Sequence, residues 1–397
     1  MKILFTNHRL KERGSSELFT AEVTTELLHR GHEIAIFSTV GGPIAEGLRA
    51  AGLTVIEDPA ACPFTPDLIH SQHHLETMAA LTAWPHAPGL YFLHGYGPWE
   101  ERPPLHPRLL HYAVPCPAFL KWLDKAFQIP ASHTHLIRNF FDPTRFPHTR
   151  PTTRPQQRAL IFHNTMDPAG ATCAAITSAC HSAGYTLETA GASFGKVIEN
   201  PGSILPDYDL LFASGRSAME AIACGCAVIP VTKGETGPWI SPENFQENLD
   251  VNFTIPPDIP STIADLPAIL RRIRPDTLPD MAARVRQEHT LARATDQLET
   301  AYEALLALPL PQDPAAESTA LAHYLTSLAA QVKQSDADRS HLMEKRDEAT
   351  RRGTRWKEKA DHLREQLDHL QHAMESGSWW QRRLWRQLRR SSSGNPL

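Results

Sequence analysis

The sequence has little that would place it outside the cell or in a membrane. Its six cysteines (Cys62, Cys116, Cys173, Cys180, Cys224, Cys226) include no C-x-x-C pair. They sit among apolar or small residues, the surroundings of buried thiols, which argues against a redox or metal role. No apolar run reaches the ~18 residues of a membrane span. "MKILFTN" enters a strand-like segment without the apolar core of a signal peptide, so the expected location is the cytoplasm. Positive charge is not in excess: 39 Lys+Arg against 44 Asp+Glu give a formal net charge of -5. That is the wrong sign for wholesale nucleic-acid binding, and any basic patch must be local. Metal-ligand spacing is scarce as well. "HSQHH" (His70, Gln72, His73, His74) has no cysteine or carboxylate at a recognisable ligand spacing, and no metal site is expected.

What is present is a chain of 397 residues, 41% of them hydrophobic, enough for two domains of ordinary size and an appendage. From residue 1 to about 145, short apolar segments alternate with helix-like ones. "KILFTN", the amphipathic "SSELFTAEVTTELLHRG" and "HEIAIFST" begin the series, and "LTVIE", "DLIHSQ", "LYFLHG", "HYAVP" and "THLIRN" continue it. Strands alternating with helices predict an open parallel sheet covered on both faces. "DPTRFPHTRPTTRPQQR" then has linker composition. A second series follows in "ALIFHN", "TLETAG", "DLLFAS" and "CAVIPV", with helices near 261–274 and 277–307. The predicted fold class is therefore α/β, two facing Rossmann-like domains at 1–145 and 146–310, with ligands bound in the cleft at the carboxyl ends of the strands.

Beyond "LPLPQDPAAEST", an alternating four-three spacing runs from Leu321, Leu325, Leu328 and Val332 through Leu342, Ala349 and Trp356 to Leu363, Leu367, Leu370 and Met374. It is a heptad register, weak at Ser335, Arg339, Arg346 and Gly353, and it predicts a coiled coil over 311–375 or two helices joined by a hinge. A homo-oligomer is the corresponding partner expectation, and a fold-back onto the globular body is the rival. The segment 376–397 carries Arg382, Arg383, Arg386, Arg389 and Arg390 beside Trp380, Leu384 and Leu388. Tryptophan and leucine beside dense arginine fit an interfacial helix at 379–390 on an anionic membrane, or a basic tail that contacts protein or solvent.

The densest segment is "DLLFASGRSAMEAIACGCAVIPV", Asp209 to Val231: strand, turn, helix, strand. Ser217 and Glu220 have the spacing of a capping box. The helix start also offers an anion site, with Gly215 letting the backbone come close and Arg216 supplying charge. Gly14 and Ser15 occupy the comparable turn before the first helix, where the serines also suit an N-cap. His94 in "FLHGYGPW" ends a strand at the cleft and suits general-base or orienting work on a hydroxyl; a structural histidine is the alternative. Arg138 ends the last strand of the first series and suits either a phosphate or a salt bridge.

Taken together, "SSELFTAEVTTELLHRGHEIAIFST", "LIRNFFDPTRF", "YDLLFASGRSAMEAIACGCAVIPV" and "ISPENFQENLDVNF" resemble, in that order along the chain, segments of GT-B glycosyltransferases of the group that includes family 4. The resemblance covers residues 1 to roughly 310. It implies a nucleotide diphosphate sugar as donor, a carbohydrate or lipid-linked acceptor, no cofactor and no metal. It further implies a ribose-binding carboxylate at Glu220 and approach of the Gly14 and Ser15 turn to the donor diphosphate or the acceptor, beside the anion site read above from Gly215, Arg216 and Ser217 and the phosphate option at Arg138. The chain departs from the family's E-x7-E pattern, because Phe212 stands where the earlier acid would be. Surface polysaccharide assembly is the expected setting. The rival readings are a non-catalytic carbohydrate-binding scaffold acting through the coiled coil, and a nucleotide-sugar 2-epimerase.

Overall fold

The computed structural model describes all residues except 96, 151–156, 233, 256–261, 378, 381–382 and 385–397. The chain divides into two compact units, Met1–Leu321 and Ala322–Leu397.

Every strand-like segment of the first series forms a strand: β1 (Lys2–Thr6), β2 (Glu33–Phe37), β3 (Thr54–Ile56), β4 (Leu68–Ser71), β5 (Gly89–Phe92), β6 (Leu109–Val114) and β7 (Thr134–Leu136). Between them lie α1 (Ser15–His29), α2 (Pro43–Ala50), α3 (His74–Ala83) and α4 (Pro117–Phe127). The strands make one parallel sheet in the order β3-β2-β1-β4-β5-β6-β7. Its central strands are buried on both faces, which is why they read as continuous apolar runs.

The second sheet is parallel too, with β8 (Arg158–Phe162), β9 (Thr186–Ala190), β10 (Leu210–Phe212) and β11 (Ala227–Ile229) in the order β11-β10-β8-β9. Its helices are α5 (Ala171–Ser182), α6 (Gly215–Ala223), α7 (Phe245–Asp250), α8 (Leu266–Arg272) and α9 (Leu278–Glu288). Two apolar clusters sandwich it, one around Leu211, Met219, Ile222 and Val285, the other around Ile161, Ile176, Phe212 and Ile269.

One expected helix proves to be two. The segment 277–307 breaks at His289-Thr290, between α9 and α10 (Leu291–Leu306). At the break, the Phe141 N–H donates to the His289 carbonyl and the Leu291 N–H to that of Phe141, while the Thr290 side chain caps α10. The chain thereby returns to the first sheet. Leu291, Leu298, Ala301, Tyr302 and Leu305 of α10 pack with Ile3, Phe5, Phe19 and Val23, so a division at 145/146 and 310/311 assigns α10 to the wrong core. The six cysteines are free and buried.

The last helix, α11 (Pro314–Glu375), is a single element of 62 residues, so the two-helix hinge is not found. At 1.5 Å per residue it is roughly 90 Å long. Its heptad side chains Leu325, Val332, Leu342, Trp356, Leu363, Leu367 and Leu370 are all exposed. Of the 379–390 segment read as an interfacial helix, Trp379, Trp380, Arg383 and Leu384 are described, helical and exposed, while Arg382, Arg386, Leu388, Arg389 and Arg390 lie outside the described residues. Among the described residues no helix is long and apolar enough to cross a membrane.

Candidate functional site

Both sheets reverse their strand order once, at β1/β4 and at β8/β10, and such reversals open a crevice at the carboxyl ends of the strands. Between these ends lie two adjoining cavities, a larger and a smaller one. They share Ser15, Phe162, Asn164, Arg216 and Ser217, so they are compartments of one cleft. Of the residues expected at the site, Gly14, Ser15, His94, Gly215, Arg216, Ser217 and Glu220 line it.

Two helix starts meet here. α1 begins after Gly14 and α6 after Ser214, and neither has a side chain bonded to its first N–H groups. Two sequence expectations are corrected by this. The serines of α1 do not cap it: Ser15 is exposed, and the Ser16 hydroxyl donates to Glu17. The capping box does not form either, because the helix starts three residues earlier than Ser217 as its N-cap would require. That places Ser217 inside the first turn, out of reach of the N-cap role. Gly215 makes the early start possible. Its φ of +59° lies in the left-handed region that a side chain disfavours.

Glu220 turns instead to Arg216, one turn earlier, accepting from Nε at 2.9 Å. The Arg216 guanidinium also bonds Glu22 of α1, stands over the Phe140 ring at 5.0 Å and is almost wholly buried. Arg145 of the interdomain passage pairs with the same Glu22. This ion network spans the two sheets' domains beneath the cleft, so Arg216 serves as a bridge while one face still lines the cavity. Burial pushes the Glu220 carboxyl up, and the Arg216 cation partly opposes it.

Arg138 is engaged elsewhere. It donates to Asp250 Oδ1 at 2.7 Å and to the Leu249 carbonyl at 3.0 Å, tying the end of the first sheet to α7, and it lines neither cavity. The salt-bridge alternative is the one observed. Its neighbour Asn139 bonds Asn252 at 2.7 Å, and both line the larger cavity. The position eight before Glu220, Phe212, is a buried strand residue in the core of the second sheet.

Sequence reasoning missed Arg13, which lines the smaller cavity and makes no hydrogen bond or ion pair among the described residues. Partial burial and the neighbouring Arg145 cation hold its guanidinium below the ordinary value, with Glu22, Glu220 and Glu199 opposing. A guanidinium in that position is stabilised by any anion that enters.

Around His94 the cleft is lined chiefly by uncharged groups, with the Glu101 carboxylate behind them. His94 is packed by Phe19 and Phe92, its ring partly exposed to the cleft, and burial holds it down to about 3, with Glu101 opposing. Nε2 of His94 lies 2.6 Å from Gln72 Oε1, and its backbone N–H donates to Glu101. His70 is fully buried, stacked on Phe5 and bonded to Tyr302; His74 packs edge-on against Trp99. Among the described residues no group of three or more His, Cys, Asp or Glu side chains is placed to hold a metal ion.

No family model matches the sequence, and no curated protein matches it. Solved structures do. A glycosyltransferase from Rickettsia africae has a TM-score of 0.57 at 14% identity, over 78% of this chain and 99% of that one. HepE of Anabaena, in complex with UDP-glucose, has a TM-score of 0.55 at 16% identity, over 77% and 100%. The lipopolysaccharide outer core galactosyltransferase WaaB has 0.53 at 11% identity, over 77% and 99%. The shared architecture is the GT-B fold of two Rossmann-like domains.

Proposed function

We propose that this GT-B chain is a glycosyltransferase, moving a sugar from a nucleotide diphosphate donor to a hydroxyl of a carbohydrate or lipid-linked acceptor. One observation carries the reading: two helix starts without side-chain caps converge on a cavity that also holds Arg13, a guanidinium with no bonded partner. Backbone N–H groups at a helix start and an unpaired guanidinium are complementary to a diphosphate, and more so as it leaves. In the reaction the bond from the anomeric carbon to the diphosphate oxygen breaks. A bond from that carbon to the acceptor oxygen forms, and the proton of the acceptor hydroxyl leaves with the departing nucleoside diphosphate, whose terminal phosphate oxygen can take it. Gly14, Ser15, Gly215 and Ser217 are assigned to the diphosphate with Arg13; Glu220 to the ribose; His94 to a sugar hydroxyl. Arg138 leaves the donor set because its guanidinium is committed to Asp250.

The comparisons support this reading at the level of chemistry: HepE is described with UDP and with UDP-glucose, and WaaB as a galactosyltransferase of lipopolysaccharide. A role in surface polysaccharide assembly follows the same line. There the heptads of α11 pair two or more chains, and the arginine-rich tail holds the enzyme at the inner membrane face. The reading is tested by incubating the full chain with a panel of sugar nucleotides and acceptor glycans, with and without EDTA. The expected result is release of nucleoside diphosphate together with a glycosylated product, unaffected by EDTA. Loss of activity with EDTA, restored by a divalent cation, would put a metal where Arg13 and the helix starts are assigned.

A further inference from the structure

Behind His94 runs a chain of hydrogen bonds whose direction is set by backbone groups. The Arg9 backbone N–H donates to Asn7 Oδ1, which turns the Asn7 amide nitrogen towards the Ser16 carbonyl and Thr20 Oγ1. Thr20 has one hydroxyl proton, and it goes to the Ser16 carbonyl at 2.9 Å. Thr20 Oγ1 can therefore only accept from its other neighbours. Gln72, 2.9 Å away, must present its amide nitrogen to Thr20, which leaves its carbonyl oxygen for His94. Asn7, Thr20 and Gln72 are completely buried, so water does not compete for these bonds. A carbonyl oxygen accepts only, so the proton of the neutral imidazole belongs on Nε2. Nδ1 has no partner among the described residues.

We propose that Gln72 is a positioning residue that fixes His94 as the Nε2–H tautomer, so that the ring meets a sugar hydroxyl through a bare, accepting Nδ1. The role for the hydroxyl rests on the transferase reading above; the tautomer does not. The charged and titratable groups around the ring are Glu101, which favours the imidazolium, and His73, His70 and Arg216, which disfavour it. His94 is thus neutral wherever the protein is used near pH 7, as an acceptor must be.

The experiment is nitrogen NMR on the full chain labelled with 15N-histidine, the His94 signals being identified by their loss in His94→Gln. The expected spectrum at pH 7 shows a protonated Nε2 and a bare Nδ1. In Gln72→Glu the carboxylate should favour the imidazolium and raise its pKa by about one unit or more. The acid limb of the pH–rate profile should rise with it, a shift that a purely structural defect would not produce. Thr20→Val removes the acceptor that orients Gln72, and both tautomers should then appear. A proton on Nδ1 in the wild type, or an unchanged His94 in both variants, would overturn the proposal. Absence of transfer with every sugar nucleotide would remove the transferase reading and leave the tautomer to be decided by the spectra.

Discussion

The two walls of the cleft solve different problems with the same topology. One side of the cleft gathers the backbone N–H groups of two helix starts, α6 after β10 and α1 after β1, with the Arg13 and Arg216 guanidinium groups and the Glu220 carboxyl beside them. The other side is backed by a buried net of Asn7, Thr20, Gln72 and His94, polar but uncharged. The first suits a diphosphate and the second suits hydroxyl groups, and a sugar nucleotide carries both at opposite ends. Between them the ion pairs of Glu22, Arg145, Arg216 and Glu220 link α1, the interdomain passage and α6.

That contrast can be broken at several points. The largest effect is expected at the bridge. Glu22→Ala strands Arg216 and Arg145 without their shared carboxylate, and loss of one partner from a buried ion pair costs about 3–5 kcal/mol. Urea denaturation measures it; a loss below about 1 kcal/mol would mean that the network does not hold the domains.

Next comes the donor wall. Arg13→Ala should change folding stability little, since Arg13 makes no hydrogen bond or ion pair among the described residues, yet weaken nucleoside diphosphate binding by about 1.5–3 kcal/mol, roughly 10- to 100-fold in Kd. Equal affinity for the nucleoside diphosphate before and after would take Arg13 out of the site.

The neutral wall is tested by acid. Burial holds fully buried His70 down at about 3 from an ordinary 6.5, so its contribution is present above pH 6.5 and is lost as pH falls towards 3. In that window the unfolded chain binds the extra proton. His70→Gln should therefore flatten the fall in stability below pH 6 by up to about 1.4 kcal/mol per pH unit. Denaturation curves at pH 7, 6 and 5 report the slope, and identical slopes would show that His70 is protonated in the fold.

The smallest effect on the cleft is expected from the arm. Truncation at residue 312 should change nucleoside diphosphate affinity less than about twofold while lowering the oligomer mass seen by light scattering, the outcome expected of the proposed pairing of the exposed heptads between chains. Unchanged mass would remove the pairing.

The order of strands was legible because buried parallel strands read as apolar runs punctuated by Gly, Pro, Asp and Asn. The cleft was legible because at Gly14 and at Gly215 a glycine-containing turn leads from a strand into a helix. Long-range partners were not. Nothing in the spacing of Ser217 and Glu220 announces that Glu220 pairs with Arg216, or that Arg216 reaches Glu22 almost two hundred residues away. The break at His289-Thr290 is set by Phe141, which lies far away in the chain. Asn139 and Asn252 stood in segments that resemble the family and still escaped notice, because only the fold brings them together. Arg13 carried one available signal: it precedes Gly14 in a turn already singled out.

The most direct test of the cleft's proposed ligand is a calorimetric titration of the full chain with UDP, set beside UMP and uridine. Two helix starts and an unpaired guanidinium aimed at a diphosphate should give saturable 1:1 binding of UDP that weakens at least tenfold in UMP and vanishes in uridine. Equal affinity for all three, or no binding of UDP or any other nucleoside diphosphate by the folded chain, would contradict it.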